Sequence, residues 1–212
     1  MGKRYDMTAN TREHWDDVYG EKFDTQLSWH EDDPEISLEL IELIRVSKPS
    51  SVIDIGGGTS RLAGALLAKG LHDVTVLDLS QVALDTARER LGRAAETVTW
   101  ISADITSWVP YRRYDVWHDR AVFHFLVDTS QRAAYLESVK KGVKIGGHVI
   151  IATFALDGPE TCSGLPVARY SPSDIAVLFE EHFELVAHRH HLHQTPWGES
   201  QSFQFSVLRR CV

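Results

Sequence analysis

Val52-Ile-Asp-Ile-Gly-Gly-Gly-Thr-Ser60 is an apolar strand closed by an acidic residue and a glycine turn that leads into a helix. Twenty residues past Gly58, Asp78 closes a second strand, Val74-Thr-Val-Leu-Asp78. A glycine turn lets a ligand lie against bare main chain, because no Cβ blocks its approach. A carboxylate at a neighbouring strand tip can accept two hydrogen bonds from a ribose diol. The pair describes a pocket for a nucleoside-bearing cofactor.

The glycine spacing narrows the choice. Dinucleotide folds use Gly-x-Gly-x-x-Gly, whose third glycine allows close packing around a pyrophosphate. Here the pattern is Gly56-x-Gly58-x-x-Arg61, and no Gly-x-x-x-x-Gly-Lys-Ser/Thr run exists. Asp54, ahead of the glycines, suits a ligand carrying an ammonium and a sulfonium better than one carrying phosphates.

Outward from this centre, strands alternate with helices, which implies a parallel sheet covered on both faces. A helix is expected over Arg12–Tyr19. A second begins at Pro34 with Ile36, Leu40, Leu43 and Ile44 on one face, and ends before Pro49. Further helices are expected over Arg61–Lys69, over Ser80–Leu91 with Ser80 as N-cap, and from a Thr129 or Ser130 cap to Lys141. Short strands fall at Thr97–Ser102 and Asp115–His118, and Gly146-Gly147 precedes the strand His148–Phe154. Ser171-Pro-Ser-Asp opens a helix to Glu181. Two strands follow, Glu184–His193 and Ser200–Arg209, joined by a turn at Thr195-Pro-Trp-Gly198 that is too short for a parallel crossover.

At 212 residues, with 43% hydrophobic and 25% charged residues, the chain fits one globular domain. No run approaches the roughly 18 to 20 apolar residues of a membrane span. Met1-Gly-Lys-Arg-Tyr-Asp6 lacks the apolar core of a signal peptide. Two cysteines, Cys162 and Cys211, make no disulfide framework and suit a reducing cytoplasm. A net charge of −8 argues against nucleic-acid backbone binding. A monomer or a homodimer is expected.

From about Pro49 onward the chain resembles the class I S-adenosylmethionine-dependent methyltransferases. Their acidic, glycine-rich first motif is matched by Asp54, Gly56, Gly57 and Gly58, with Ser60 at the third glycine position. Their ribose-binding acid falls on Asp78, followed by Leu79. Their third motif falls on Asp104 and Ile105, which in the family meet the adenine amino group and ring. Spacings of about 24 and 26 residues separate Asp54, Asp78 and Asp104. Their fourth motif falls on Tyr114-Asp-Val-Trp-His-Asp119-Arg120. The resemblance implies a doubly wound, Rossmann-like α/β sheet of seven strands in the order 3-2-1-4-5-7-6, with the last strand antiparallel. It implies a single domain over residues 1–212, with a helical lid over residues 1–46 and the core over 49–212. The implied cofactor is S-adenosylmethionine, with S-adenosylhomocysteine as product.

Around the fourth strand, His118-Asp-Arg-Ala-Val-Phe-His124 is similar to the Asp-Arg-Gly-Ala-Leu stretch of thiopurine-type methyltransferases, with Ala121 at their glycine. His124 is a candidate base, or else a hydrogen-bonded wall residue. Asp119 and Arg120 are cofactor-side or catalytic candidates, or an ion pair that orients the loop. His14-Trp15-Asp-Asp-Val-Tyr19 resembles the Tyr-Trp-Asp-x-x-Tyr opening that folds over the cofactor in the family. Trp29 can reach the same mouth and face a sulfonium; otherwise these aromatics pin the first helix to the core.

The acceptor is bounded by exclusion. The chain lacks the Asn/Asp-Pro-Pro-Tyr/Phe motif of amino-group enzymes, the acidic metal cluster of catechol-type enzymes and the Pro-Cys of cytosine C5 enzymes. Asp119-x-x-Val122 departs from the Asp-x-x-Tyr/Phe of some lysine enzymes. A small-molecule acceptor, at O, N, S or a metalloid, is favoured over a protein lysine or N-terminal amine, and a non-catalytic binding module is the third reading. The loop Asp157–Tyr170 is expected to wall the acceptor. His188, His190, His191 and His193 split between two strand faces with no cysteine or acid at matching spacing, so no metal is expected.

Overall fold

The computed structural model describes residues 7–212, with side chains from residue 11; the hexapeptide read for targeting lies outside the described residues. Helices α1 (Met7–Glu21) and α2 (Glu35–Leu43) precede β1 (Ser51–Ile55). Then follow α3 (Leu62–Ala68), β2 (Asp73–Asp78), α4 (Gln81–Leu91), β3 (Val98–Ser102), β4 (Tyr114–Arg120), α5 (Thr129–Gly142) and β5 (Val143–Phe154). A two-residue hairpin, β6 (Thr161–Cys162) with β7 (Leu165–Pro166), leads to α6 (Pro172–Phe179), β8 (Phe183–Gln194) and β9 (Ser200–Arg210).

The main sheet runs β3-β2-β1-β4-β5-β9-β8. The first five strands are parallel, and β9 lies antiparallel between β5 and β8. Without the small hairpin this is the expected seven-stranded order. Alternation along β1 divides the core. Val52 packs with Leu40, Leu62, Leu66 and Leu84 from α2, α3 and α4, while Ile53 and Ile55 pack with Tyr135, Val139, Ile175 and Phe179 from α5 and α6. Such two-sided burial explains why the strands are apolar throughout rather than alternating with polar residues.

Three local expectations change. The N-cap of α5 is Asp128, not Thr129 or Ser130. β5 starts at Val143, and its Gly146-Gly147 sits inside it: the pairing steps from Tyr114↔Val143 to Val116↔His148, with Gly146 at φ 78 accommodating the bulge. Leu43, assigned to the apolar face of α2, is exposed at the last residue of the helix.

Ser80 does cap α4, its Oγ accepting from the Ala83 amide at 3.2 Å. The same hydroxyl donates to Asp16 at 2.6 Å, and Arg12 donates to the Leu79 carbonyl at 2.6 Å. These bonds hold α1 over the carboxyl ends of β2 and β3.

Candidate functional site

The order 3-2-1-4 reverses direction between β1 and β4, the place where open α/β sheets receive ligands. A cavity of ≈ 280 Å³ lies there. Its floor comes from strand ends: Ile55 and Gly56 at the end of β1, Asp78 and Leu79 at the end of β2, Asp104 and Ile105 just after β3, Arg120 and Ala121 at the end of β4. Trp15, Tyr19 and Trp29 form its roof. An adjoining cleft is lined by Asp54, Gly56, Gly57, Ser60 and Arg61, with His118 and Ser37 behind.

The glycine turn is needed for its shape. Gly56 and Gly58 have φ of 64 and 45, where a side chain is strained. A Cβ at Gly56 would fall 2.0 Å from Val122 Cγ2, and one at Gly58 would fall 2.7 Å from the Tyr19 hydroxyl. Gly58 lies between Tyr19 and Asp78 rather than on the cavity wall.

Asp78 is buried and stays available. Its Oδ1 accepts from the Ser80 amide at 2.8 Å. Burial pushes the carboxyl up to about 6, against the pull of nearby amides from Ser80, Gly58 and Leu79. Asp104 closes a turn, accepting from the Thr106 amide and hydroxyl at 2.8 and 2.7 Å, and still lines the cavity.

Asp54 has a partner set that motif reading missed. Parallel register places it beside His118, whose Nδ1 lies 2.7 Å from Asp54 Oδ1. His118 Nε2 is 2.9 Å from the Ser37 hydroxyl on α2. All three side chains are buried, so the carboxylate is held in one orientation beneath the glycine turn. The strand order, once inferred, pairs Asp54 with His118; nothing in the sequence points to Ser37.

Arg120 faces both spaces. It donates to the Trp29 carbonyl at 2.9 Å and to Glu31 at 2.8 Å, and lies over the Phe203 ring at 5.2 Å. It ties the segment after α1 to β4. Trp15 packs edge-on against Trp29 and Phe125 at 5.8 and 5.1 Å.

The structure does not bring the two catalytic candidates to the cavity. Asp119 projects to the opposite face of β4, where it accepts from the Val122 amide at 2.9 Å and the Tyr135 hydroxyl at 2.6 Å. His124 is sealed against Phe125 and Phe154, at 4.5 and 4.8 Å between ring centres. Burial, aided by Arg120, lowers its pKa to about 3, so near neutrality the ring is uncharged and a weak base.

The far wall comes from Val122, Phe125, Leu126 and the hairpin residues Cys162, Leu165 and Pro166. Ser163 and Gly164 both have positive φ, 50 and 75, as a two-residue hairpin turn of the primed type requires. The Ser-Gly pair within the loop is the signal that locates it. Burial raises the Cys162 thiol to about 11, so it lines the wall as a neutral group.

A family model described as a methyltransferase domain matches residues 52–147, the stretch that supplies the cofactor side of the cavity. Sheet order and match together give the chain the class I, seven-stranded methyltransferase fold. No curated protein matches the chain in sequence. Among solved structures, an S-adenosylmethionine-dependent methyltransferase from Anabaena variabilis ATCC 29413 has a TM-score of 0.75 at 14% identity, over 97% of this chain and 96% of that one. A structure from work on the conversion of a disulfide bond into a thioacetal group during echinomycin biosynthesis has a TM-score of 0.71 at 22% identity, over 94% and 93%. The 1,6-didemethyltoxoflavin-N1-methyltransferase of Burkholderia thailandensis, solved with bound 1,6-didemethyltoxoflavin and S-adenosylhomocysteine, has a TM-score of 0.69 at 18% identity, over 96% and 85%. At these identities the likeness is one of fold. The bare glycine turn and the dry carboxylates of Asp54 and Asp78 fit S-adenosylmethionine as the cofactor. Among the described residues, no helix is long and apolar enough to cross a membrane.

Proposed function

We propose that this chain transfers a methyl group from S-adenosylmethionine to a small-molecule acceptor, at O, N, S or a metalloid centre. The observation that carries the reading is the cavity, which is lined by the carboxylates of Asp78 and Asp104 together with an apolar wall of Trp15, Phe125, Leu126, Cys162 and Leu165. Such a wall suits a compact, largely apolar acceptor.

When bound, the cofactor supplies a methyl already activated on sulfonium sulfur. The chain's share is alignment and the exclusion of water. In this reading Asp78 accepts from the ribose hydroxyls, Asp104 and Ile105 meet the adenine, and Asp54 faces the ammonium. Gly56, Gly57 and Gly58 supply close main chain, with Ser60 at the end of the turn. Trp15, Tyr19 and Trp29 act as the lid, and Arg120 holds Trp29 in place. Asp119 and His124 support the wall and move no proton. Two unpaired cysteines agree with a cytoplasmic setting.

The test is transfer of a labelled methyl group into a lysate fractionated into small molecules, protein and RNA. Label is expected in the small-molecule fraction. Label in protein alone moves the reading to an amine on a protein. Tight cofactor binding with no label in any fraction leaves a binding module.

A further inference from the structure

The sheet sorts the four histidines of β8 by face. His191 pairs with Phe203, and His193 follows two residues later, so both project to one side, where their rings meet Phe205 and Phe203 respectively. The segment between α1 and α2 packs on that side and brings Glu31. One donor atom from each of Glu31, His191 and His193 lies within 4.8 Å of the others. We propose that these three side chains bind a single divalent transition-metal ion of the zinc class, with water completing the site.

His193 is already held as a ligand. Its Nε2 lies 2.7 Å from the Ser28 carbonyl oxygen, which can only accept, so this nitrogen carries the proton. With Nε2 committed to Ser28, Nδ1 is the nitrogen turned toward Glu31, 3.6 Å from its Oε1. A ring N–H bonded to a backbone carbonyl is also the usual second contact of a metal-binding histidine. Zinc bonds of about 2.0 to 2.2 Å put tetrahedral donors about 3.4 Å apart, within reach of a side-chain rotation at half-buried His191.

Arg120 opposes the ion, since it donates to Glu31 Oε1 at 2.8 Å. Coordination through Oε2 keeps that bond. Asp32, Asp33 and Glu35 line the same groove, and their charge draws cations to it. Two imidazoles with one carboxylate favour zinc-class ions over magnesium or calcium, which take mostly oxygen ligands. The third donor comes from Glu31, far from β8 in sequence, which is why spacing along the strand pointed away from a metal. The inference is independent of the methyl acceptor.

The experiment is calorimetric titration of the full, chelator-treated chain with zinc chloride, with magnesium chloride as control and thermal melting in parallel. One zinc per chain is expected. The melting midpoint should rise by about 5 °C at a hundredfold excess over Kd, with no response to magnesium. Glu31→Gln and His191→Ala should each lower zinc affinity at least tenfold, with far-UV circular dichroism confirming that each variant folds. The double variant His188→Ala, His190→Ala should bind as the native chain does. Absence of zinc binding by the native chain overturns the proposal. So does an equal loss of binding in the His188/His190 double variant.

Discussion

Asp78 at the end of β2 and Asp119 near the end of β4 are both buried, and burial lifts both carboxyls to about 6. Their surroundings then diverge. Asp119 is enclosed by the Tyr135 hydroxyl and the amides of Val122 and Phe123, all of them protein groups. Asp78 sits at the cavity wall, within reach of a ligand held there. The same perturbation marks a structural post in one case and a candidate ligand-binding group in the other. A raised pKa reports dryness; the partners decide what the group does.

The contrast is open to attack by substitution. Asp119→Ala strands a buried hydroxyl and two amides, so we expect a loss of about 3 kcal/mol in chemical denaturation. A loss below about 1 kcal/mol would mean that Asp119 is not the post described. Asp78→Asn should leave the fold intact and weaken cofactor binding by about 1.5 to 3 kcal/mol in calorimetry. The apo-protein should melt at a higher temperature, because a dry charge has been removed; unchanged affinity would take Asp78 out of the site.

Acid sharpens the difference. Both carboxyls stand above the unfolded value of about 3.9, so between roughly pH 4 and 6 the folded chain binds protons that the unfolded chain does not. Through these two groups, apo stability grows as pH falls across that window. Cofactor affinity should move the other way, falling about tenfold from pH 7 to pH 5 as Asp78 takes a proton. A flat affinity profile would break the assignment. The smallest effect is expected at Ala121, beyond the end of β4, which holds φ 73. Ala121→Gly should stabilise by about 1 kcal/mol in the same denaturation measurement.

Much of the fold was legible because it repeats local rules. Apolar strands end on acids, glycines or serines punctuate the turns, and the short loop at Thr195–Gly198 forces an antiparallel finish. The positions of Asp78 and Asp104 were legible for the same reason, since each closes a strand. What stayed hidden depends on tertiary placement. Asp54 meets His118 only because β1 lies beside β4, and Ser37 joins them only because α2 packs over both. His124 reads as a titrating histidine until the walls of Phe125 and Phe154 close around it. The start of β5 was misplaced because Gly146-Gly147 looks like a turn, whereas here it is a bulge within a strand.

The interior position of β9 has a consequence for biogenesis. β5 is synthesised well before residues 200–210, the strand that covers its free edge. Until those residues emerge, the nascent sheet exposes a row of unpaired amides and carbonyls beside Ile150, Ile151 and Phe154, a sticky template for other chains. Ribosome-bound intermediates halted before β9 would therefore be the stage at which this protein most depends on chaperones.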